Sequence, residues 1–258
     1  MTRLIAIASG KGGVGKTTTA VNLGVSLAGF HKNVIIVDAN LTTPDLGLHL
    51  GIHNPRFTLN DALEGKASIV DAIALHDSGV RVIPAGMNLK HLRTTRPDKL
   101  WDVALDLFGT ADIVLLDTPA GLEEGAKSVL DASEEVLIVT NPEMPSVTDA
   151  LKTIRVAYRS GSHVIGVVLT KVRKGKDPMN NHDIESILDT HILAEIPFDH
   201  DIPHSIHLKN PIMIRKPNSP ASNAYKKLAA DLLGLEYTVK ASGWPVLQAL
   251  KKVFGVNY

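Results

Sequence analysis

The sequence contains no cysteine. That one absence removes disulfides, thiolate zinc sites, cysteine-held iron–sulfur clusters and a cysteine nucleophile together. Net charge is also missing, because 27 Lys and Arg balance 27 Asp and Glu. Bulk electrostatic attraction to nucleic acid or lipid is therefore not expected, although a neutral total is compatible with a local patch. No apolar run approaches the ~18 residues that suggest a membrane span. No leader pattern is recognisable, since residues 3–9 flow directly into a run of glycines, and a cytoplasmic chain is the expectation. Internal repeats and low-complexity tracts are absent.

What is present is a 258-residue chain, 44% hydrophobic, enough for one large α/β domain with a sizeable core. Short β-rich runs alternate with longer helical patterns. Strands are predicted at 4–9, 33–38, 80–84, 112–117, 135–140, 164–170 and 192–197. Helices are predicted to begin near Lys16, Thr58, Pro97, Leu122, Ser146, Asn181 and Pro220. Several strand runs are almost wholly apolar, which fits strands covered on both faces. The fold class is therefore a doubly wound, mostly parallel sheet flanked by helices. A body helix ending at Gly234 closes the domain, taken as residues 1–234. Residues 235–244 read as a linker and residues 245–258 as a separate amphipathic tail.

Residues 10–18 read GKGGVGKTT. Gly10, four residues, then Gly15, Lys16 and Thr17 satisfy the phosphate-loop pattern, between an apolar strand and a helical pattern. In such a loop Gly10, Gly12, Gly13, Val14 and Gly15 offer backbone N–H groups to phosphate, with the helix N-terminus behind them. Lys16 would reach the β- and γ-phosphates, and the Thr17 hydroxyl would ligate Mg²⁺, with Thr18 next in the helix. A plain glycine-rich βα turn is the alternative. Asp117 ends an apolar strand, where a carboxylate can hold Mg²⁺; its alternative is a helix cap or turn residue.

The second lysine, Lys11, narrows the match. KGGVGKT resembles the deviant phosphate loop of the MinD/ParA family of ATPases. The resemblance continues through VDANLTTPDLGLHLG (37–51), VIPAG (82–86), LLDTPAGLE (115–123), VTNPEMPSVTDA (139–150) and KPNSPASNAYKKLA (216–229), roughly residues 2–234. It implies ATP and Mg²⁺ as ligands and a homodimer when ATP is bound, with Lys11 contacting the partner subunit's nucleotide. It also implies a first switch in which Asp38 serves catalysis and holds Mg²⁺, a Mg²⁺-holding Asp117 and a γ-phosphate contact from the Gly121 N–H.

Two positions depart from the family pattern. The family carries a second aspartate two residues after the one matched by Asp38; here that residue is Asn40. An amide cannot act as a base but can steer a water, and phosphoryl transfer depends mostly on positioning and charge. Binding should survive while hydrolysis slows. Three accounts stand side by side: a naturally slow enzyme, replacement by Asp45, or an introduced substitution that traps the ATP-bound state. At the family's adenine-contacting asparagine stands Thr170, which offers fewer contacts. Base recognition is then expected from backbone groups around Pro197 and Asp199.

On a helix, Val246, Leu247, Leu250, Val253 and Phe254 share one face, while Lys251 and Lys252 fall elsewhere and Trp244 precedes them. That composition fits an in-plane membrane helix, and ALKKVFG resembles the MinD membrane-targeting tail. Packing of the tail on its own body is the alternative. One short helix binds lipid weakly, and two on a dimer bind far better. The function expected is a MinD-like ATPase that dimerises on ATP, attaches to the inner face of the cytoplasmic membrane and positions cell-division or other machinery. A ParA-like DNA-partitioning ATPase, suggested by KVRKGK (171–176), and a non-hydrolysing adaptor are the alternatives; nucleic acid is the less favoured partner. Asn40→Asp is expected to raise turnover at saturating ATP; unchanged steady-state phosphate release would remove Asn40 from the mechanism.

Overall fold

The computed structural model describes residues 2–88 and 97–238. The strands are β1 (Arg3–Ala8), β2 (Val34–Asp38), β3 (Ala74–Leu75), β4 (Arg81–Ile83), β5 (Ile113–Asp117), β6 (Glu135–Thr140), β7 (His163–Val172) and β8 (Ile192–Pro197). They form one sheet in the order β3-β4-β2-β5-β1-β6-β7-β8. Every pairing is parallel except the short β3–β4 pair. The seven predicted strands are present within about two residues of their expected limits. β3 was not expected, because two residues carry no alternation to read.

Alternation along the central strand builds the two cores. Leu4, Ala6 and Ala8 of β1 join one buried cluster and Ile5 and Ile7 join the other. A period of two sends successive side chains to opposite faces, and both faces are apolar because both are covered. On one side lie α1 (Lys16–Gly29) and, near the end of the domain, α10 (Pro220–Leu232). On the other lie α5 (Glu124–Asp131), α6 (Met144–Arg159) and α7 (Asn181–Leu188). Local chemistry sets several of their starts. Ser219 caps α10 by accepting the Ser222 N–H, with Pro220 in the first turn. Asn180 caps α7 by accepting the Asp183 N–H. Thr58 and Asp61 form a reciprocal capping box at α3 (Leu59–Leu63).

Several short helices carried no sequence expectation: α2 (Leu46–Leu50), α8 (Asp201–His207) and α9 (Ile212–Arg215). Each is too short to display a helical period of its own. The helix expected near Pro97 begins as a 3₁₀ turn, Pro97–Lys99, and continues as α4 (Leu100–Leu105). The tail residues Trp244, Val246, Leu247, Leu250, Lys251, Lys252, Val253 and Phe254 lie outside the described residues.

Strand order reverses at β1, which lies between β5 and β6. In parallel sheets the crevice at such a switch point, beyond the carboxyl ends of the strands, is where ligands bind. The loop after β1 emerges there, and α6 packs against it. A Cβ added to Gly10 would sit 2.4 Å from the Asp149 carbonyl oxygen, a backbone atom that cannot swing aside. Gly10→Ala is expected to destabilise the protein by about 1–3 kcal/mol, the usual range for overpacking, as a lowered urea midpoint at unchanged slope. A midpoint equal to wild type would show that the loop and α6 separate freely.

Candidate functional site

The loop between β1 and α1 is built by its glycines. Gly13 (φ 75°) and Gly15 (φ 100°) lie in the left-handed region that a side chain disfavours. Gly15 is also the N-cap of α1, where no side chain caps the helix and the first turn holds no acidic residue. The first N–H groups of α1 are thus left for a ligand, with the positive end of the helix dipole behind them. Beside the loop opens a cleft of about 750 Å³, lined among others by Gly12, Gly13, Gly15, Lys16, Thr17 and Thr18. Asn40, Asp45, Thr118 and Ala120 line the facing walls.

The two lysines of the loop sit differently. Lys16 is buried, and its ammonium donates to Ser9 Oγ at 3.0 Å. Burial lowers its pKa, opposed by the charges of Asp117 and Asp45. Lys11 is exposed, and it is not among the residues lining its own cleft.

Carboxylates gather opposite. Asp38 and Asp117 are register partners at the ends of β2 and β5, and both are fully buried. The Thr17 hydroxyl lies 2.6 Å from Asp117 Oδ2 and 3.0 Å from Asp45 Oδ1, so one proton serves two carboxyl groups. Asp117 Oδ1 is buried without a hydrogen-bond partner. A hard cation fits this donor set, since oxygen ligands converge and one of them is otherwise orphaned. Among the described residues no group of three acidic or histidine side chains could hold a metal by itself. A Mg²⁺ ion here would accordingly draw on Thr17, Asp117, phosphate oxygens and water, the set that Mg²⁺ commonly takes.

Asp45 lines the cleft, while Asp117 and Asp38 do not; Asp38 borders a smaller neighbouring cavity. Its Oδ1 accepts the Asn40 N–H at 3.2 Å and its Oδ2 the Leu46 N–H at 3.1 Å. It therefore ties the first-switch segment to the start of α2. Burial pushes its pKa well up, reinforced by the charges of Asp117 and Asp45 and opposed by those two N–H groups. The Asn40 side chain closes a turn on Thr43, donating to its carbonyl at 2.7 Å and accepting its N–H at 3.2 Å. Asp45 touches the phosphate loop directly, through its contact with Thr17.

Four residues expected at the nucleotide, Gly121, Thr170, Pro197 and Asp199, do not line the cleft. The Gly121 N–H donates to the Ser9 carbonyl at 3.2 Å, so contact with a phosphate needs that bond exchanged. Thr170 is buried behind the loop, where its hydroxyl donates to the Val14 carbonyl and accepts from Asn141 Nδ2 at 2.7 Å. A hydroxyl so committed does not face a base. Pro197 lines a separate groove along β8, and Asp199 Oδ1 accepts the Asp201 N–H at the start of α8. Sequence reading passed over Met87, Ile202, Pro203 and Ile206, and gave His49 and Lys171 no part in nucleotide binding, yet all of them line the cleft. Their only available signal was proximity to motif residues, because their segments meet the loop through the fold.

Burial raises the Asp117 pKa to about 7, opposed by the Thr17 hydrogen bond and by Lys16. Between the ordinary value of 3.8 and about 7, the folded state therefore binds more protons here than the unfolded chain. The Asp117 contribution to stability is present at low pH and declines as pH rises through that window. Asp117→Asn removes this term. In nucleotide-free protein, the wild-type-minus-variant difference in urea midpoint is expected to fall between pH 5 and pH 8; a constant or rising difference would contradict the assignment.

Comparison with known proteins agrees with this geometry. The ParA family model, described as "NUBPL iron-transfer P-loop NTPase", matches residues 1–233. The Uncharacterized ATP-binding protein MJ0547 of Methanocaldococcus jannaschii is 38% identical over 233 residues, covering 90% of this chain and 88% of its own. The septum site-determining protein MinD of Thermotoga maritima is 31% identical over 244 residues, covering 91% and 89%. Among solved structures, MinD of Pyrococcus horikoshii OT3 complexed with Mg-ADP superposes with a TM-score of 0.86 at 36% identity, over 90% of this chain and 96% of that one. The Pyrococcus furiosus cell division ATPase MinD gives 0.88 at 36% identity, over 92% and 100%. Matched along residues 1–233 by the family model, and by relatives over nine-tenths of its length, the chain belongs to the MinD/ParA family of P-loop NTPases.

Proposed function

We propose that this protein is a MinD-like ATPase that binds ATP with Mg²⁺ and pairs with a second copy when ATP is bound. On this reading it attaches to the inner face of the cytoplasmic membrane through residues 245–258 and positions cell-division or other cellular machinery. The observation that carries the reading is the contrast between the two loop lysines. Lys16 is buried in the site, while Lys11 is exposed and does not line its own cleft. A cation displayed outward from a phosphate loop suits the nucleotide of a facing subunit, in the manner of an arginine finger. The relatives support it: one solved MinD holds Mg-ADP, and another, from Aquifex aeolicus, is in a MinC:MinD complex.

In the reaction, Lys16 neutralises phosphate oxygens and the loop N–H groups cradle them. Thr17 and Asp117 would hold Mg²⁺, which when bound would supply positive charge against the transferring phosphoryl group. The first-switch segment presents Asn40 and Asp45 for the attacking water. Asn40 must leave Thr43 to reach it, which fits slow turnover. Among the described residues no helix is long and apolar enough to cross a membrane; the attachment proposed is peripheral, through an in-plane helix. The iron-transfer description belongs to the family model; this chain has no cysteine to hold a cluster.

The DNA-partitioning reading rests on residues 171–176. Two of its basic groups have partners within the protein: Lys171 on the Gly13 carbonyl, and Arg173 4.2 Å from the centre of the Phe198 ring. That leaves Lys174 and Lys176, both exposed, as the remaining basic groups of the stretch for phosphate backbones. Co-sedimentation with anionic liposomes is expected to require ATP and to fail when the chain is cut after Gly234. Lys11→Ala should bind nucleotide yet stay monomeric in ATP by light scattering. Equal pelleting of the truncated chain would remove the membrane reading, and an ATP-dependent dimer of Lys11→Ala would remove the role of Lys11.

A further inference from the structure

Lys171 combines three features that no role in the mechanism above explains. It is exposed, it lines the cleft, and its backbone is left-handed, with φ 57°. A non-glycine residue in that region is held there by its surroundings, and such positions cluster at functional sites. The strand around it is irregular: the β7–β8 register shifts between Leu169 and Val172. Irregularities of this kind re-aim a side chain near an active site. Here the re-aimed side chain reaches back to the phosphate loop, where its ammonium donates to the Gly13 carbonyl at 2.7 Å.

The residue before it does the same one peptide further on. The Thr170 hydroxyl donates to the Val14 carbonyl. Asn141, at the end of β6, fixes Thr170 by donating to its hydroxyl at 2.7 Å and to its carbonyl at 3.0 Å. Two consecutive loop carbonyls are thus held by two consecutive residues of one strand. A trans peptide is planar, with its C=O and N–H pointing opposite ways. Holding the Gly13 carbonyl turns the Val14 N–H away from Lys171, and holding the Val14 carbonyl turns the Gly15 N–H away from Thr170. Carbonyl oxygens that swung inward would instead repel a phosphate.

We propose that Lys171 and Thr170 are positioning residues that preorganise the phosphate loop by anchoring its Gly13 and Val14 carbonyls. They act on the loop and not on the γ-phosphate. The inference rests on the nucleotide-binding reading of the loop. It accounts for Thr170 standing where an amide that reads the base is expected: its hydroxyl serves the loop. It accounts equally for a strained lysine at the rim of the cleft. Preorganised donors bind an anion without reordering the loop at the moment of binding.

The test is calorimetric titration of the full chain with Mg-ADP and with a non-hydrolysable Mg-ATP analogue, on wild type, Lys16→Ala, Lys171→Met, Lys171→Arg, Thr170→Val and Thr170→Ser. Lys171→Met and Thr170→Val are expected to weaken both nucleotides by the same factor, about tenfold for each variant. That factor corresponds to about 1.4 kcal/mol, one charge-assisted or buried hydrogen bond. Lys171→Arg and Thr170→Ser should recover most of the loss. The thermal midpoint of nucleotide-free Lys171→Met should match wild type, because the side chain is exposed. Wild-type affinity for both nucleotides in Lys171→Met overturns the proposal. So does loss confined to the ATP analogue, which would mean direct contact with the γ-phosphate. Failure of wild type to bind either nucleotide, or undiminished binding in Lys16→Ala, would overturn the nucleotide reading itself.

Discussion

Burial of charge at the carboxyl ends of the central strands is the constraint on which the rest of this site depends. Lys16, Asp38 and Asp117 are all withdrawn from water. Each would be costly there alone, and each has its proton affinity shifted toward its neutral form. The nearest partner of the Lys16 ammonium is a serine hydroxyl and not a carboxylate. Asp117 leaves one oxygen unpaired, and Asp45 shares with it a single hydroxyl proton. This arrangement is incomplete as a self-contained ion cluster. A bound anion beside Lys16 and a cation beside Asp117 would complete both halves at once, which is what a Mg²⁺-nucleotide offers.

A parallel sheet brings those charges together. All seven longer strands point the same way, so their ends open on one side of the sheet. The segments leaving β1, β2, β5, β6 and β7 then meet over the phosphate loop. Their contacts make one connected frame. Asp38 holds the start of α2, Asp45 touches Thr17, Gly121 donates to Ser9, and α6 leaves no space beside Gly10. A change in what the loop holds must pass through these bonds.

Much of this was legible before folding. The seven strands could be read because apolar runs bounded by turn residues encode a doubly covered sheet locally. The phosphate loop could be read because glycines at fixed spacing, a lysine and a threonine act within nine residues of one another. The helix starts expected near Asn181 and Pro220 coincide with side-chain caps from Asn180 and Ser219, which act on neighbours in the chain. The short helices α2, α8 and α9 escaped because four to seven residues hold no period, and packing rather than propensity stabilises them. Thr170 was read by its place in a motif, as a base contact, while the fold uses its hydroxyl 156 residues away on Val14.

The sequence by itself determined the fold class, the phosphate loop and the residue types available to phosphate and metal, because these depend on neighbours along the chain. Tertiary structure alone decided how those residues are used. It buried Lys16 and left Lys11 outward, placed Asp38 beside a smaller neighbouring cavity and Asp45 against Thr17, and bent β7 so that Lys171 reaches Gly13. The physical reason is that hydrogen bonding and desolvation act through space. Residues separated by a hundred positions in the chain share one proton or one carbonyl only after the sheet has aligned its strand ends.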